Sequence, residues 1–464
     1  MNTGVKILSG VTLAVALLAG GIASAQDLQF VPGTTLSIAN PESIAPGDYD
    51  NDGDMDLAIA STAGNKLVIL LNGGAGVFYP PTEITHGGPF TLICHDLNLD
   101  GALDLICADV LSGSISTFLG NGIGEFGPAN TTPVGTSPYS IVAADFDEDG
   151  WPDLAVANHQ SDNVSLLKGL GNGNFDTGWG SFSYLRPTDL AVSDFDNDGH
   201  LDLVATTSED SNFSVRYGNG TGAFPIANDY MMGIDDALWS TAAADVTGDG
   251  LIDLVFPCPA FDQVVVYCAL PTGGFFPLPP ILTEDEPRET MIRDFDLDGF
   301  DDVGVLNLGS ASLSLSLSDG SGNFSNAQSF SSGPEPVSMQ GVDLDGDGQE
   351  DLVVANKTSG TVSVLLNRTL PGGEFRRGDV DVDGMLTIAD PVRLLDIFFV
   401  GNTTQFHCAD AGDVDDDGLL SIGDPLLLLA YLFASGPPPA EPFECGIDPT
   451  NTDSLTPCPV GMCQ

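Results

Sequence analysis

Short apolar runs recur along this chain, each separated from the next by polar or glycine-rich turns. Ile141-Val-Ala-Ala144 leads into an acidic loop, and Leu154-Ala-Val-Ala157 follows it. Leu352-Val-Val-Ala355 repeats the second run later in the chain. After each such pair comes a polar turn and an alternating segment, such as Val362-Ser-Val-Leu-Leu366, and a glycine turn ending in Phe closes most units, as in Gly120-Asn-Gly-Ile-Gly-Glu-Phe126. β-Branched runs bounded by turn residues predict strands and tight loops. A run apolar at consecutive positions predicts a strand covered on both faces, as when sheets stack radially.

The acidic loops set the period. The pattern D-x-[DNT]-x-D-G-x-x-D begins at Asp48, Asp96, Asp145, Asp194, Asp245, Asp294 and Asp343, with spacings of 48, 49, 49, 51, 49 and 49 residues. One copy is a weak signal in an acidic chain; seven at constant spacing define a repeat. Four strands per unit of about fifty residues match a propeller blade, whereas the coils of a β-solenoid are shorter. The predicted fold is all-β, a seven-bladed β-propeller, followed by a small α-helical module with EF-hand-like calcium loops.

Positions 1, 3, 5 and 9 of each loop supply side-chain oxygens, position 7 can add its carbonyl, and the glycine makes the bend. Such a set suits a hard cation with six to eight oxygen ligands, and Ca²⁺ better than Mg²⁺, which keeps water and strict octahedral geometry. The candidate ligands are Asp48, Asp50, Asp52 and Asp56; Asp96, Asn98, Asp100 and Asp104; Asp145, Asp147, Asp149 and Asp153; Asp194, Asp196, Asp198 and Asp202; Asp245, Thr247, Asp249 and Asp253; Asp294, Asp296, Asp298 and Asp302; and Asp343, Asp345, Asp347 and Asp351. Asn98 and Thr247 replace a carboxylate, so their loops are expected to bind less tightly. His86, His95, His159, His200 and His407 lie apart from these sets and read as ordinary loop or strand residues.

The acidic loop, the apolar strand after it and the Gly-Asn-Gly-x-Gly-x-Phe ending resemble the FG-GAP/VCBS repeats of integrin-α-type propellers. The resemblance covers Leu28 to Leu370, 343 residues, which divides into seven units of 49. It implies that each loop joins the first two strands of its blade, and with no His–carboxylate cluster beside the loops the metal is expected to be structural. The last copy ends after its third strand, near Asn367, while Leu28–Ser37 resembles the fourth strand of other copies such as Tyr79–Thr85. The N-terminal segment is therefore expected to complete blade seven and lock the ring.

Net charge is −54, from 66 acidic and 12 basic residues, which excludes the basic footprint nucleic acid requires and opposes an anionic membrane. Lys6, the apolar run Ile7–Ile22 and Ala23-Ser24-Ala25 before Gln26 have the layout of a secretory signal peptide, and no other segment is long and apolar enough to span a bilayer. Secretion, to the extracellular space or cell surface, is expected. Eight cysteines fit an oxidising compartment. Cys94, Cys107, Cys258 and Cys268 lie in the repeats; Cys408, Cys445, Cys458 and Cys463 lie in Pro- and Gly-rich sequence where two disulfides are expected, with three pairings open.

Beyond the repeats, Asp379, Asp381, Asp383 and Asp390 have EF-hand-like spacing, and Pro391–Phe399 reads as a helix after it. Asp413, Asp415, Asp417 and Asp424 repeat the arrangement before Pro425–Phe433. From Phe375 to Phe433 this resembles a type I dockerin, which implies a cohesin-like or other extracellular protein partner. Ile388-Ala389 and Ile422-Gly423 stand where dockerins often carry Ser-Thr. Arg377-Gly378-Asp379 is read as the start of a calcium loop and not as a recognition tripeptide. The expected division is 1–25 signal peptide, 26–370 propeller, 371–375 linker, 376–434 paired calcium-loop module and 435–464 Pro- and Cys-rich tail.

These readings lead to an extracellular binding or adhesion scaffold for a carbohydrate or protein ligand. The face away from the acidic loops is its expected ligand surface, presenting Tyr139, Arg186, Trp239 and Arg288 from Thr136–Ser140, Leu185–Asp189, Asp235–Ser240 and Glu284–Glu289. The alternative is a carbohydrate-active enzyme, a polysaccharide lyase or glycoside hydrolase, or a non-catalytic part of a polysaccharide-degrading assembly. No catalytic residue stands out: no carboxylate pair is separable from the calcium sets, and Lys, Arg and His are few.

Overall fold

The computed structural model describes residues 28–369, apart from 210–211, 233–236 and 272, together with helical residues 391, 392 and 395 and a helix Gly423–Ala434. Within 28–369 the chain forms seven antiparallel sheets, one per repeat. Six have four strands; in the fifth the outer strand is split into Phe275–Pro277 and Ile281–Leu282, both paired with Gln263–Ala269. The innermost strands, Pro41–Gly47, Pro89–His95, Pro138–Ala144, Pro187–Ser193, Ala242–Ala244, Pro287–Arg293 and Pro336–Val342, touch one another in succession, and the last touches the first. The sheets thus close into a seven-bladed β-propeller.

The second strand of every blade is buried along its whole length: Asp56–Ser61, Asp104–Asp109, Asp153–Asn158, Asp202–Thr207, Asp253–Cys258, Asp302–Asn307 and Asp351–Asn356. Its odd and even side chains face opposite neighbours, because one blade lies on each side. Leu105 and Cys107 pack with blade one; Ile106 and Ala108 pack with blade three. One hydrophobic cluster fills each of the seven blade–blade interfaces, including that between blades seven and one around Ile44, Ile59, Val353 and Val362. The outer strands, such as Thr82–Thr85, are mostly exposed.

Ring closure follows the sequence expectation. Phe30–Ser37 pairs antiparallel with Thr361–Asn367, Phe30 opposite Asn367 and Ser37 opposite Thr361. The register shifts between Pro32 and Thr35, around Gly33. Gln29 O accepts from Arg368 N at 2.6 Å, and Gln29 N donates to Thr369 Oγ1 at 2.9 Å. This strand thereby covers an edge whose backbone groups would otherwise be unpaired.

The prolines leading six innermost strands mark a regular device. Directly after each one the register with the second strand slips, as between Pro138 and Ser140. A bulge tolerates the missing N–H of proline and re-aims the residue beside it. Tyr139 and Arg288 are such residues. The next residue inward ties blades together: Ser43 Oγ, Asp189 Oδ2, Ser240 Oγ and Glu289 Oε2 accept the N–H of Leu92 (3.1 Å), Thr241 (2.9 Å), Thr290 (3.3 Å) and Met339 (2.8 Å) on the following blade.

Of the C-terminal module, the helix Gly423–Ala434 covers the expected Pro425–Phe433. Asp379, Asp381, Asp383, Asp390, Asp413, Asp415 and Asp417, the linker and the tail cysteines lie outside the described residues, as does the expected signal peptide. Among the described residues no helix is long and apolar enough to cross a membrane.

Candidate metal loops and binding face

Each acidic loop connects the innermost strand to the second strand of its blade, so all seven lie on one face of the ring. Their positions have distinct roles. Position 1 folds the loop: Asp48 accepts from the N–H of Asp52 (3.1 Å) and of Gly53 (3.0 Å), and the same pair of bonds recurs from Asp96, Asp145, Asp194, Asp245, Asp294 and Asp343. Gly53 takes φ +96°, a left-handed conformation natural to glycine. Position 2, which the sequence reading passed over, is an apolar plug: Tyr49, Leu97, Phe146, Phe195, Val246, Phe295 and Leu344 are all buried between blades. Its signal was present, since position 2 is apolar in every copy.

Position 9 is fully buried in every blade. Asp153 Oδ2 accepts from Phe146 N at 3.0 Å and its Oδ1 from Gly169 N at 2.7 Å, so it ties the loop to the end of the third strand. Asp56, Asp104, Asp202, Asp302 and Asp351 do the same with their own neighbours. Burial pushes Asp56, Asp104, Asp153 and Asp202 up to about 6, Asp351 to about 7 and Asp302 to about 8.

Position 3 turns inward in several copies, although Asp196 is exposed. Asp50 Oδ1, Asp147 Oδ1, Thr247 Oγ1 and Asp345 Oδ1 are buried with no hydrogen-bond partner. Oxygens of positions 1, 3 and 9 come within 4.8 Å of one another in Asp48/Asp50/Asp56, Asp145/Asp147/Asp153, Asp194/Asp196/Asp202 and Asp294/Asp296/Asp302. Buried oxygens converging without donors are costly unless a cation or water meets them. Two loops have a cation of their own. Lys168 Nζ donates to Asp147 and lies 2.8 Å from Asp149 Oδ2; Arg368 donates to Asp345 and lies 2.6 Å from Asp347 Oδ2. In the second loop the Asn98 amide donates to Asp100 Oδ2 at 3.0 Å.

The loops also bind blade to blade. Gly124 N donates to Tyr49 O of the preceding blade at 2.9 Å, and Gly76 and Gly222 do likewise to Leu344 and Phe146. Gly124 sits at φ +76°, and a Cβ there would lie 2.6 Å from Leu71. The glycine turn is thus shaped to fit under the neighbouring acidic loop.

The opposite face carries the starts of the innermost strands. Tyr139 lies between Phe90 (5.1 Å) and a parallel His159 ring (4.5 Å). The Arg288 guanidinium covers the Trp239 ring at 4.6 Å and meets Glu286 Oε1 at 3.2 Å, while its buried Nε has no partner. Arg186, exposed, pairs with Glu209 at 3.0 Å. The structure joins Trp239 to Arg288 and does not join Tyr139 or Arg186 to that pair.

Two repeat models match the chain: FG-GAP-like repeat at residues 96–156, 145–205, 194–256 and 294–354, and FG-GAP repeat at 40–79. Together the matches span more than half of the chain and contain all seven acidic loops. No curated protein matches. Among solved structures, the chain is similar to BBS1N in crystals described as a complex with ARL6DN, soaked with lead or with mercury. Each has 13% identity and a TM-score of 0.52 over 73% of this chain and 96% of that one. A protein from Lactobacillus plantarum is similar at 18% identity and a TM-score of 0.51, over 66% of this chain and 89% of that one. At these identities the likeness shows the fold. The repeats, the loops that define them and the ring they build all agree, and the chain belongs to the FG-GAP repeat proteins as a seven-bladed β-propeller.

Proposed function

We propose that the chain is a secreted, calcium-loaded propeller that binds an extracellular carbohydrate or acidic protein ligand on the face opposite its acidic loops. The observation that carries the metal reading is the convergence of position 1, 3 and 9 oxygens within single loops, with Asp50 Oδ1 buried and unpartnered among them. Ca²⁺ would supply a compact positive charge to positions 1, 3 and 5, and to the free lone pairs of position 9, whose backbone bonds hold it ready. The loops of Asn98 and Thr247 have fewer carboxylates, and those of Lys168 and Arg368 carry an internal cation, so these four bind more weakly than the loops starting at Asp48, Asp194 and Asp294.

Trp239 and Arg288 supply the ligand reading. A tryptophan ring beside a guanidinium offers both an aromatic surface for a sugar ring and a positive charge for a carboxylate. The carboxylates best placed for chemistry are already engaged: position 9 by backbone, and Asp189 and Glu289 as ties between blades. This favours binding over glycoside hydrolysis or elimination. The dockerin-like region would then be the docking tail for a cohesin-like or other protein.

A glycan array probed with the full chain and with Trp239→Ala and Arg288→Ala tests this reading. Binding that both substitutions weaken supports it. Binding unaffected by either places the ligand elsewhere, and new reducing ends or unsaturated products from a polysaccharide panel would replace it with the enzyme reading.

A further inference from the structure

The last residue of the second strand varies around the ring, and blade two alone places a carboxylate there, Asp109, far from the acidic loops. The second strand of blades three and seven ends in an asparagine that completes a buried polar knot. Asn158 Oδ1 accepts from Gly135 N at 2.9 Å and its amide donates to Ser165 Oγ at 2.9 Å. Asn356 repeats this with Gly333 N at 2.7 Å and Ser363 Oγ at 2.9 Å. Blade two keeps the serine, Ser116, which donates to Asp109 Oδ2 at 2.6 Å, but both other members change. Asp109 stands in the place of the asparagine, and His86, three residues before Pro89, stands in the place of the glycine. Its Nε2 lies 2.5 Å from Asp109 Oδ1.

A neutral, fully paired knot has here become a carboxylate facing an imidazole in the interface between blades one and two. Asp109 is 2% exposed. Such a charge is costly to bury unless something compensates it, and the neighbouring blades show that the fold does not need it. Cys107 lies two residues before Asp109 on the same strand and so faces the same side, fully buried. Ligand atoms of His86, Cys107 and Asp109 lie within 4.8 Å of one another. The His86 ring is fixed edge-on to Phe118 at 5.2 Å, and its side chain is 13% exposed, leaving a short way in from solvent.

We propose that His86, Cys107 and Asp109 form a site for one transition-metal ion of the Zn²⁺ class, separate from the calcium loops. The mixed nitrogen, sulfur and oxygen donor set selects a borderline-soft tetrahedral cation, and three protein ligands leave a fourth position for water or the Ser114 or Ser116 hydroxyl. Ion entry opens the His86–Asp109 contact and releases the Cys107 thiol proton to solvent, so the thiolate formed is neutralised by the metal. The sequence reading of His86 as an ordinary loop residue is revised accordingly. This site does not depend on the calcium or ligand readings.

Co²⁺ and Zn²⁺ added to the full chain in excess Ca²⁺ test it, because Ca²⁺ then occupies the acidic loops and the softer site stays open. The expected result is one equivalent of Co²⁺ with a near-ultraviolet sulfur-to-cobalt charge-transfer band, displaced by Zn²⁺ and absent in Cys107→Ser. Asp109→Asn restores the residue used in blades three and seven and is expected to fold normally. It and His86→Gln should each weaken binding by more than the roughly 10–100-fold that loss of an outer-shell partner costs. No charge-transfer band in the folded wild type, or a band that survives unchanged in Cys107→Ser or in Asp109→Asn, overturns the proposal.

Discussion

Lys168 Nζ lies 2.8 Å from Asp149 Oδ2 inside the third acidic loop and also donates to Asp147, so an ammonium stands where the first loop leaves Asp50 Oδ1 without a partner. The contact holds Asp149 below its ordinary range, chiefly through the Lys168 hydrogen bond. Lys168→Met is expected to add one tightly bound Ca²⁺ per chain and to make this blade more sensitive to calcium removal. Native mass spectrometry across a calcium titration checks both. An unchanged count would mean that the lysine swings aside for the ion.

Asp153 tests the buried ties. Its two oxygens hold Phe146 N and Gly169 N, both buried. Asp153→Ala strands two buried donors at a cost of about 1–3 kcal/mol each. Asp153→Asn should also destabilise, by less, because its amide group turns a donor toward one of them. Denaturant unfolding in saturating calcium measures both, and an alanine variant as stable as wild type would contradict the role.

Glu289 gives the chain a pH dependence of its own, away from the metal loops. Burial, opposed by the Met339 N–H and aided by Asp189, raises it from 4.5 to about 8. The folded chain therefore holds a proton that the unfolded chain has released. The stabilisation is complete below about 4.5 and is lost as pH rises through about 8. In saturating calcium, Glu289→Gln should gain stability relative to wild type across that interval. A difference in melting temperature that does not change with pH would contradict the assignment.

The ring closes through Phe30–Ser37 on Thr361–Asn367. Deleting residues 26–37 leaves a long exposed edge on blade seven and removes Leu28 from the cluster between blades six and seven. The truncated chain is expected to lose stability as a whole and to aggregate, because adjacent blades share their cores. Melting like the full chain would show that the ring holds without this strand.

Much of this was legible in the sequence because the repeat is written in residues with few alternatives. The Asp-Gly loops gave the period. Apolar runs without alternation, such as Leu154–Ala157, gave burial on both sides, and the spare segment Leu28–Ser37 gave the closure. Other features needed coordinates. Asp48 and Asp153 look alike in sequence, yet one folds an exposed loop and the other fills a buried backbone socket. Lys168 lies 21 residues from Asp147 and reaches it only because the third strand returns beside the loop. His86 and Asp109 read as unrelated until strand pairing sets them together.

The central claim, that metal in the acidic loops holds the propeller together, is tested most directly by thermal unfolding of the full chain with excess Ca²⁺ and with excess chelator. Ions that bind only the folded state stabilise it by mass action. A large fall in melting temperature on chelation, reversed by Ca²⁺, is the predicted result; superimposable curves would contradict it.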